Sequence, residues 1–163
     1  MLAYRVLKVA HLLGLALFLG SIFGHIVSSV LGGPAGGSDA FIAARVHIAS
    51  ATNLLTLPGL GLSIVSGLAM AVAGKLSPLR ERWLAVHAAL AVGIVALAWF
   101  VVVPAVTQTL VVAQEAARGL ATAQAVAAAK QPEDMFGRLN LLLAFAAIAL
   151  GVFKPQWRRK ASG

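Results

Sequence analysis

VLKVAHLLGLALFLGSIFGHIVSSVLG, residues 6–32, decides the fold. A run this long and this apolar crosses a bilayer core of about 30 Å rather than lying on a soluble surface. His11 and His25 lie 14 residues apart within it. At about 100° per residue both leave nearly the same helix face, and at about 1.5 Å per residue their levels differ by roughly 21 Å. Two ionisable side chains on one stripe of a membrane helix mark a functional site by default.

The rest of the chain repeats that character. Of 163 residues, 60% are hydrophobic and 11% charged, which describes a polytopic membrane protein whose length suits one domain, 1–163, of four spans. The lipid bilayer is its first partner. Cysteine is absent, so disulfides and thiolate-held metals or iron–sulfur clusters are excluded. The net charge of +8 would suggest nucleic acid in a soluble protein, but the placement of the basic residues fits a membrane orientation signal better, and no nucleic-acid partner is expected. The first helix reads as a retained span: it is long, carries histidines and has no small-x-small cleavage site followed by a soluble domain.

Span one, about 6–32, ends at the glycine-rich breaker Gly32-Gly33-Pro34-Ala35-Gly36-Gly37. Ser38 or Asp39 can cap span two, about 41–74, in which Pro58 predicts a kink. A short basic turn leads to span three, about 84–112, with Trp99, Phe100 and Pro104 inside it; Trp99 and Phe100 read as packing residues. The alanine-rich stretch 114–130 reads as a helical extension outside the membrane, and Pro132-Glu133-Asp134 as the start of the last helix, with span four at about 139–153. The spans then contain no Asp or Glu, which argues against a pump built on a membrane carboxylate. Tyr4, Trp83 and Trp157 read as interfacial anchors, while Asn53, Gln108 and Asn140 read as packing groups or as cavity-facing ones.

Charge orients the bundle. The amino terminus, the 75–82 turn and the tail hold nine basic residues and one acid, whereas the opposite side carries four of each sign, so both termini are expected in the cytoplasm. In a bacterium this is the inner membrane. The resulting order sorts the histidines into two layers, His11 with His87 and His25 with His47. Neutral imidazole is a good haem ligand, and helix bundles hold such sites between facing helices. Two layers could hold two b-type haems. Gly14, Gly20 and Gly24 would leave room for a flat macrocycle; Gly20-x-x-x-Gly24 is equally a helix-packing pattern. Arg5, Lys8, Arg80 and Arg82 could serve propionates of the inner layer and Arg45 those of the outer. Each histidine alone also fits an interhelical hydrogen bond. Soft ligands for copper are few, since only Met70 lies inside a span, and a close third ligand for zinc is not evident.

Leu7-Lys8-Val9-Ala10-His11-Leu12-Leu13-Gly14 with Phe18-Leu19-Gly20 resembles the first span of a bacterial group comprising CopD-like copper-resistance membrane domains, HemJ-type protoporphyrinogen oxidases and the DUF2269 integral membrane family. Leu55-Thr56-Leu57-Pro58-Gly59, Ser66-Gly67-Leu68 and the stretch from Trp99 through Pro104 to Gln108 resemble DUF2269 most. The resemblance implies a small four-helix membrane protein without a settled activity. In HemJ-type enzymes a first-span histidine binds haem, and His11 matches it. Their functional third-span lysine is replaced here by His87, which puts porphyrinogen oxidation in doubt and suits a second haem ligand.

The expectation is therefore an all-α, four-transmembrane-helix bundle that binds haem b, one or two, through His11, His87, His25 and His47. It would pass electrons across or within the membrane, to a quinone, a periplasmic redox protein or superoxide. HemJ-like oxidation of protoporphyrinogen, which would make it an enzyme, and a copper-handling or haem-free scaffold role are the alternatives. A homo-oligomer is compatible with all three.

Overall fold

The computed structural model describes residues 2–76 and 81–155. Among these there are four long helices and no strand: α1 (Leu2–Leu31), α2 (Asp39–Ala73), α3 (Arg82–Ala117) and α4 (Ala123–Phe153), all long and apolar enough to cross a membrane. At about 1.5 Å per residue the 35 residues of α2 reach roughly 52 Å, so the helix ends project beyond a hydrocarbon core of about 30 Å. Successive helices run antiparallel. Leu2, Ala73, Arg82 and Phe153 mark one end of the bundle, called proximal below; the 32–38 and 118–122 loops make the distal end.

Small residues explain how α1 finds α2. His11, Gly14, Phe18, Ser21, His25, Ser28 and Gly32 alternate at spacings of three and four, the seam of one helix lying along another. Gly14, Phe18, Ser21 and Ser28 of that seam are buried. A Cβ on Gly14 would fall 2.7 Å from Gly59 O and 2.5 Å from Ser63 Oγ, so the two backbones meet there. Further along, Ser21 Oγ and Thr56 Oγ1 share a hydrogen bond of 2.6 Å, and a Cβ on Gly32 would fall 2.7 Å from that of Ala44. In lipid, where apolar surface gives helices no reason to associate, such close backbone approach and hydroxyl bonding hold the pair.

Each of the two central helices contains a π turn, Thr52–Thr56 in α2 and Ala98–Val102 in α3. In each, the amide after the turn reaches the carbonyl five residues back, Leu57 to Thr52 and Val103 to Ala98. Pro58 and Pro104 follow directly. Proline has no amide for the carbonyl four residues back and its ring crowds that carbonyl; a widened turn relieves both. The irregularity that Pro58 announces is thus a π turn within a continuous helix, and Pro104 makes a second.

The alanine-rich stretch 114–130 is helical except at 118–122 and continues the bundle helices on either side. α3 runs on to Ala117, Gly119 (φ 75°) turns the chain in the left-handed region, and Thr122 caps α4 by accepting from the Ala125 amide at 3.2 Å. Pro132, expected at a helix start, lies inside α4, in the turn after Ala129, whose carbonyl accepts from Thr109 of α3 at 3.1 Å. Glu133 and Asp134 consequently lie about three turns into the last helix rather than at its start. Of the two candidate caps for α2, Ser38 serves, accepting from the Phe41 amide.

Two apolar clusters bracket the bundle. Phe41, Ala113 and Val126 close the distal end. Phe18, Leu60, Ile94, Ala98, Ala144 and Ala147 draw on all four helices and form the central core. Trp99 and Phe100, within the second π turn, pack against neither; they are 60% and 76% exposed and face outward. Trp83 at the proximal end lies under the Lys154 ammonium, 5.4 Å from ring centre to Nζ. Arg80 and Trp157 lie outside the described residues.

Candidate functional site

The antiparallel order sets His11 and His87 in the proximal half and His25 and His47 in the distal half. The proximal two are held alike. His11 Nδ1–H donates to Ser63 O of α2 at 2.7 Å, and His87 Nδ1–H donates to Ala147 O of α4 at 2.9 Å. A carbonyl only accepts, so each bond fixes the proton on Nδ1 and leaves Nε2 with its lone pair. Ser66 Oγ also lies 3.4 Å from His11 Nδ1. Each ring sits beside a glycine: a Cβ on Gly67 would be 3.3 Å from His11 Cε1, and one on Gly151 would be 3.6 Å from His87 Cε1. The rings come from different helix pairs, His11 from α1 packed on α2 and His87 from α3 packed on α4.

The distal histidines are held by hydroxyls instead. His25 Nε2 lies 3.2 Å from Ser21 Oγ and 3.4 Å from Thr52 Oγ1, and His47 Nδ1 lies 2.7 Å from Ser28 Oγ. His47 is exposed, His25 half-buried. Among the described residues no hydrogen bond joins His11 to His87 or His25 to His47, and no three His, Asp or Glu side chains converge as a metal-binding group.

His25 faces a cavity of about 260 Å³ between the four helices, lined also by both π turns. Asn140 borders it, 4% exposed, with Oδ1 unpartnered; of the three amides singled out in the sequence it alone reaches the interior, since Asn53 and Gln108 are exposed. At the distal mouth stand Lys130, Glu133, Asp134 and Arg138. Lys130 Nζ bonds Asp134 at 2.5 Å. Behind Glu133 lies Arg45, 1% exposed, paired with the Glu133 carboxylate and leaving Nε and Nη1 without partners.

The glycines divide. The space beside Gly14 is filled by α2, whereas a Cβ on Gly20 or Gly24 would meet nothing within 4 Å, so neither touches another helix of this chain there. Arg45, expected near a propionate, pairs with Glu133, and Arg5, Lys8 and Arg82 are exposed at the proximal end. Gly151 and the two carbonyls carry no mark in the sequence, and Gly67 and Glu133 stand there only in a family-like stretch and at an expected helix start; a helix starting at Ala123 is what turns Glu133 inward.

The family comparison agrees with this architecture. The family described as "Predicted integral membrane protein (DUF2269)" matches residues 5–155. The chain belongs to that family. The match takes in all four helices of this DUF2269 chain and all four histidines, and assigns no function to them. No curated protein and no solved structure matches it.

Proposed function

We propose that this protein is a membrane haem protein in which His11 and His87 are the two axial ligands of a b-type haem in the proximal half of the bundle. What supports this reading is the shared state of the two rings: each gives its Nδ1 proton to a backbone carbonyl of the neighbouring helix and keeps Nε2 free. That arrangement fixes tautomer and ring direction and raises ligand basicity, as second-shell carbonyls do for metal-bound histidines. Gly67 and Gly151 beside the rings keep side chains clear of them. The haem would supply one-electron chemistry; the chain supplies ligands, orientation and a low-dielectric setting.

Electrons would be exchanged with a quinone in the bilayer, a redox protein or superoxide. The basic residues gathered at the proximal end favour placing that end in the cytoplasm of a bacterial cell. A second haem between His25 and His47 has less support. Their contacts are to hydroxyls, and the cavity at His25 falls below the roughly 300–1,000 Å³ of ordinary cofactor pockets.

The test is the reduced-minus-oxidised spectrum of the detergent-purified protein with a pyridine haemochrome assay. One haem per chain with a low-spin b-type spectrum is expected. His11→Ala and His87→Ala should each abolish the low-spin signature, and His25→Ala should retain it. A protein that takes up no haem even when expressed with added precursor would overturn the reading. So would a spectrum lost in His25→Ala or His47→Ala but kept in His11→Ala.

A further inference from the structure

The distal cavity has no part in that haem site. It is bounded towards the proximal half by the core of Phe18, Leu60, Ile94, Ala98, Ala144 and Ala147, and it opens between charged residues at the other end. Asn140 lies seven residues inward of Glu133 along α4, about 10 Å deeper. Its Oδ1 is buried without a donor, which in a native interior calls for water or a ligand. Around the same space stand the hydroxyls of Thr52 and Thr56, each also close to a backbone carbonyl, and the ring of His25. A volume of about 260 Å³ with several convergent polar groups is roomy and polar enough for a cluster of waters, the two conditions that separate hydrated cavities from dry ones. Thr52 and Thr56 belong to the π turn of α2, a feature that recurs where helices carry function.

We propose that this cavity is a water-filled half-channel that brings solution from the distal face to His25 and Asn140 and ends blind at the central core. Protons reach the His25 imidazole from the distal side only. The charged groups lining this path are Lys130, Glu133, Asp134 and Arg138 of α4, with Arg45 of α2 behind Glu133; α1 contributes His25, and α3 contributes Ala98, Val102, Val103 and Val106, none of which titrates. The paired charges at the mouth leave it close to neutral, so water and small solutes of either sign can enter.

The chain has no cysteine, so single-cysteine variants report one position each. Sealed membrane vesicles are treated from either side with a membrane-impermeant, positively charged methanethiosulfonate. Gly36→Cys marks the distal face. Gly137→Cys lines the cavity, and a Cβ there meets nothing within 4 Å, so no contact is disturbed. His25→Cys reads the inner end. Both should react from the same side as Gly36→Cys. Because only hydrated thiolate is reactive, both should react at least about tenfold faster than Ala147→Cys in the core or lipid-facing Phe145→Cys. A Gly137→Cys variant as slow as Phe145→Cys, while Gly36→Cys reacts, would show a dry cavity and overturn the proposal. Equal labelling of Gly137→Cys from both sides would also overturn it, since the core would then not close the path. The labelling reads hydration alone and stands or falls independently of haem.

Discussion

Glu133→Ala is expected to destabilise the bundle by about 3–5 kcal/mol, the cost of leaving one charge of a buried pair alone. The Arg45 guanidinium is 1% exposed, and its Nε and Nη1 already lack partners, so the Glu133 carboxylate is its single charge-compensating contact among the described residues. Arginine cannot escape by losing its proton. The bond also ties α2 to α4 across the distal end, where the apolar contacts are a small cluster around Phe41, Ala113 and Val126. Thermal unfolding in detergent should show the loss as a clearly lowered midpoint. Glu133→Gln, which keeps an acceptor, should lose less. Arg45→Met combined with Glu133→Leu should recover most of the stability, because the pair as a unit contributes little beyond an apolar replacement. An unchanged midpoint in Glu133→Ala would mean that the pair does not fasten this end.

The second large effect belongs to Gly14. A methyl there would lie 2.5 Å from Ser63 Oγ and 2.7 Å from both Gly59 O and the Ser63 amide nitrogen. Two of the three obstacles are backbone, which cannot swing aside, so α1 and α2 must separate. Gly14→Ala is expected to cost about 1–3 kcal/mol, the range for an overpacked core, despite alanine's better helix propensity. Gly59→Ala meets the Phe18 amide nitrogen at 2.7 Å and should behave alike; the double variant should cost less than the sum, since one separation relieves both clashes. Gly20→Ala and Gly24→Ala form the control, with nothing within 4 Å of the added carbon. They should be neutral or more stable by up to about 1 kcal/mol. Equal effects at Gly14 and Gly20, measured by unfolding in the same detergent, would contradict the close contact.

These two sites also show where sequence reading stops. Gly14, Gly20 and Gly24 all read as clearance for a cofactor, with helix packing as the other reading of Gly20 and Gly24, yet Gly14 is the one that packs. Which glycine meets a helix depends on the register of α1 against α2. Bonds such as Ser21–Thr56 and Ser28–His47 set that register, and no local pattern encodes it. Trp99 and Phe100 face outward rather than into the core, which the sequence does not distinguish for a related reason. Apolar residues in a membrane helix are equally at home against lipid or against protein, so hydropathy carries no inside and outside. The break at 118–122 is local. Gly119 and Thr122 are a recognisable helix stop and cap, but alanine's propensity on either side concealed the break.

The sequence by itself determined four apolar helices, their antiparallel order and the division of the histidines between two ends. These follow from span length, breaker residues and the period of an α-helix, all of which act within one segment. Only the tertiary structure decided what each histidine faces. It gave His11 and His87 to backbone carbonyls and His25 to hydroxyls and a cavity, and it turned Glu133 inward to meet Arg45. Those outcomes depend on which residue of a neighbouring helix arrives opposite, and in a membrane that is settled by close backbone packing and by the need to satisfy buried polar groups.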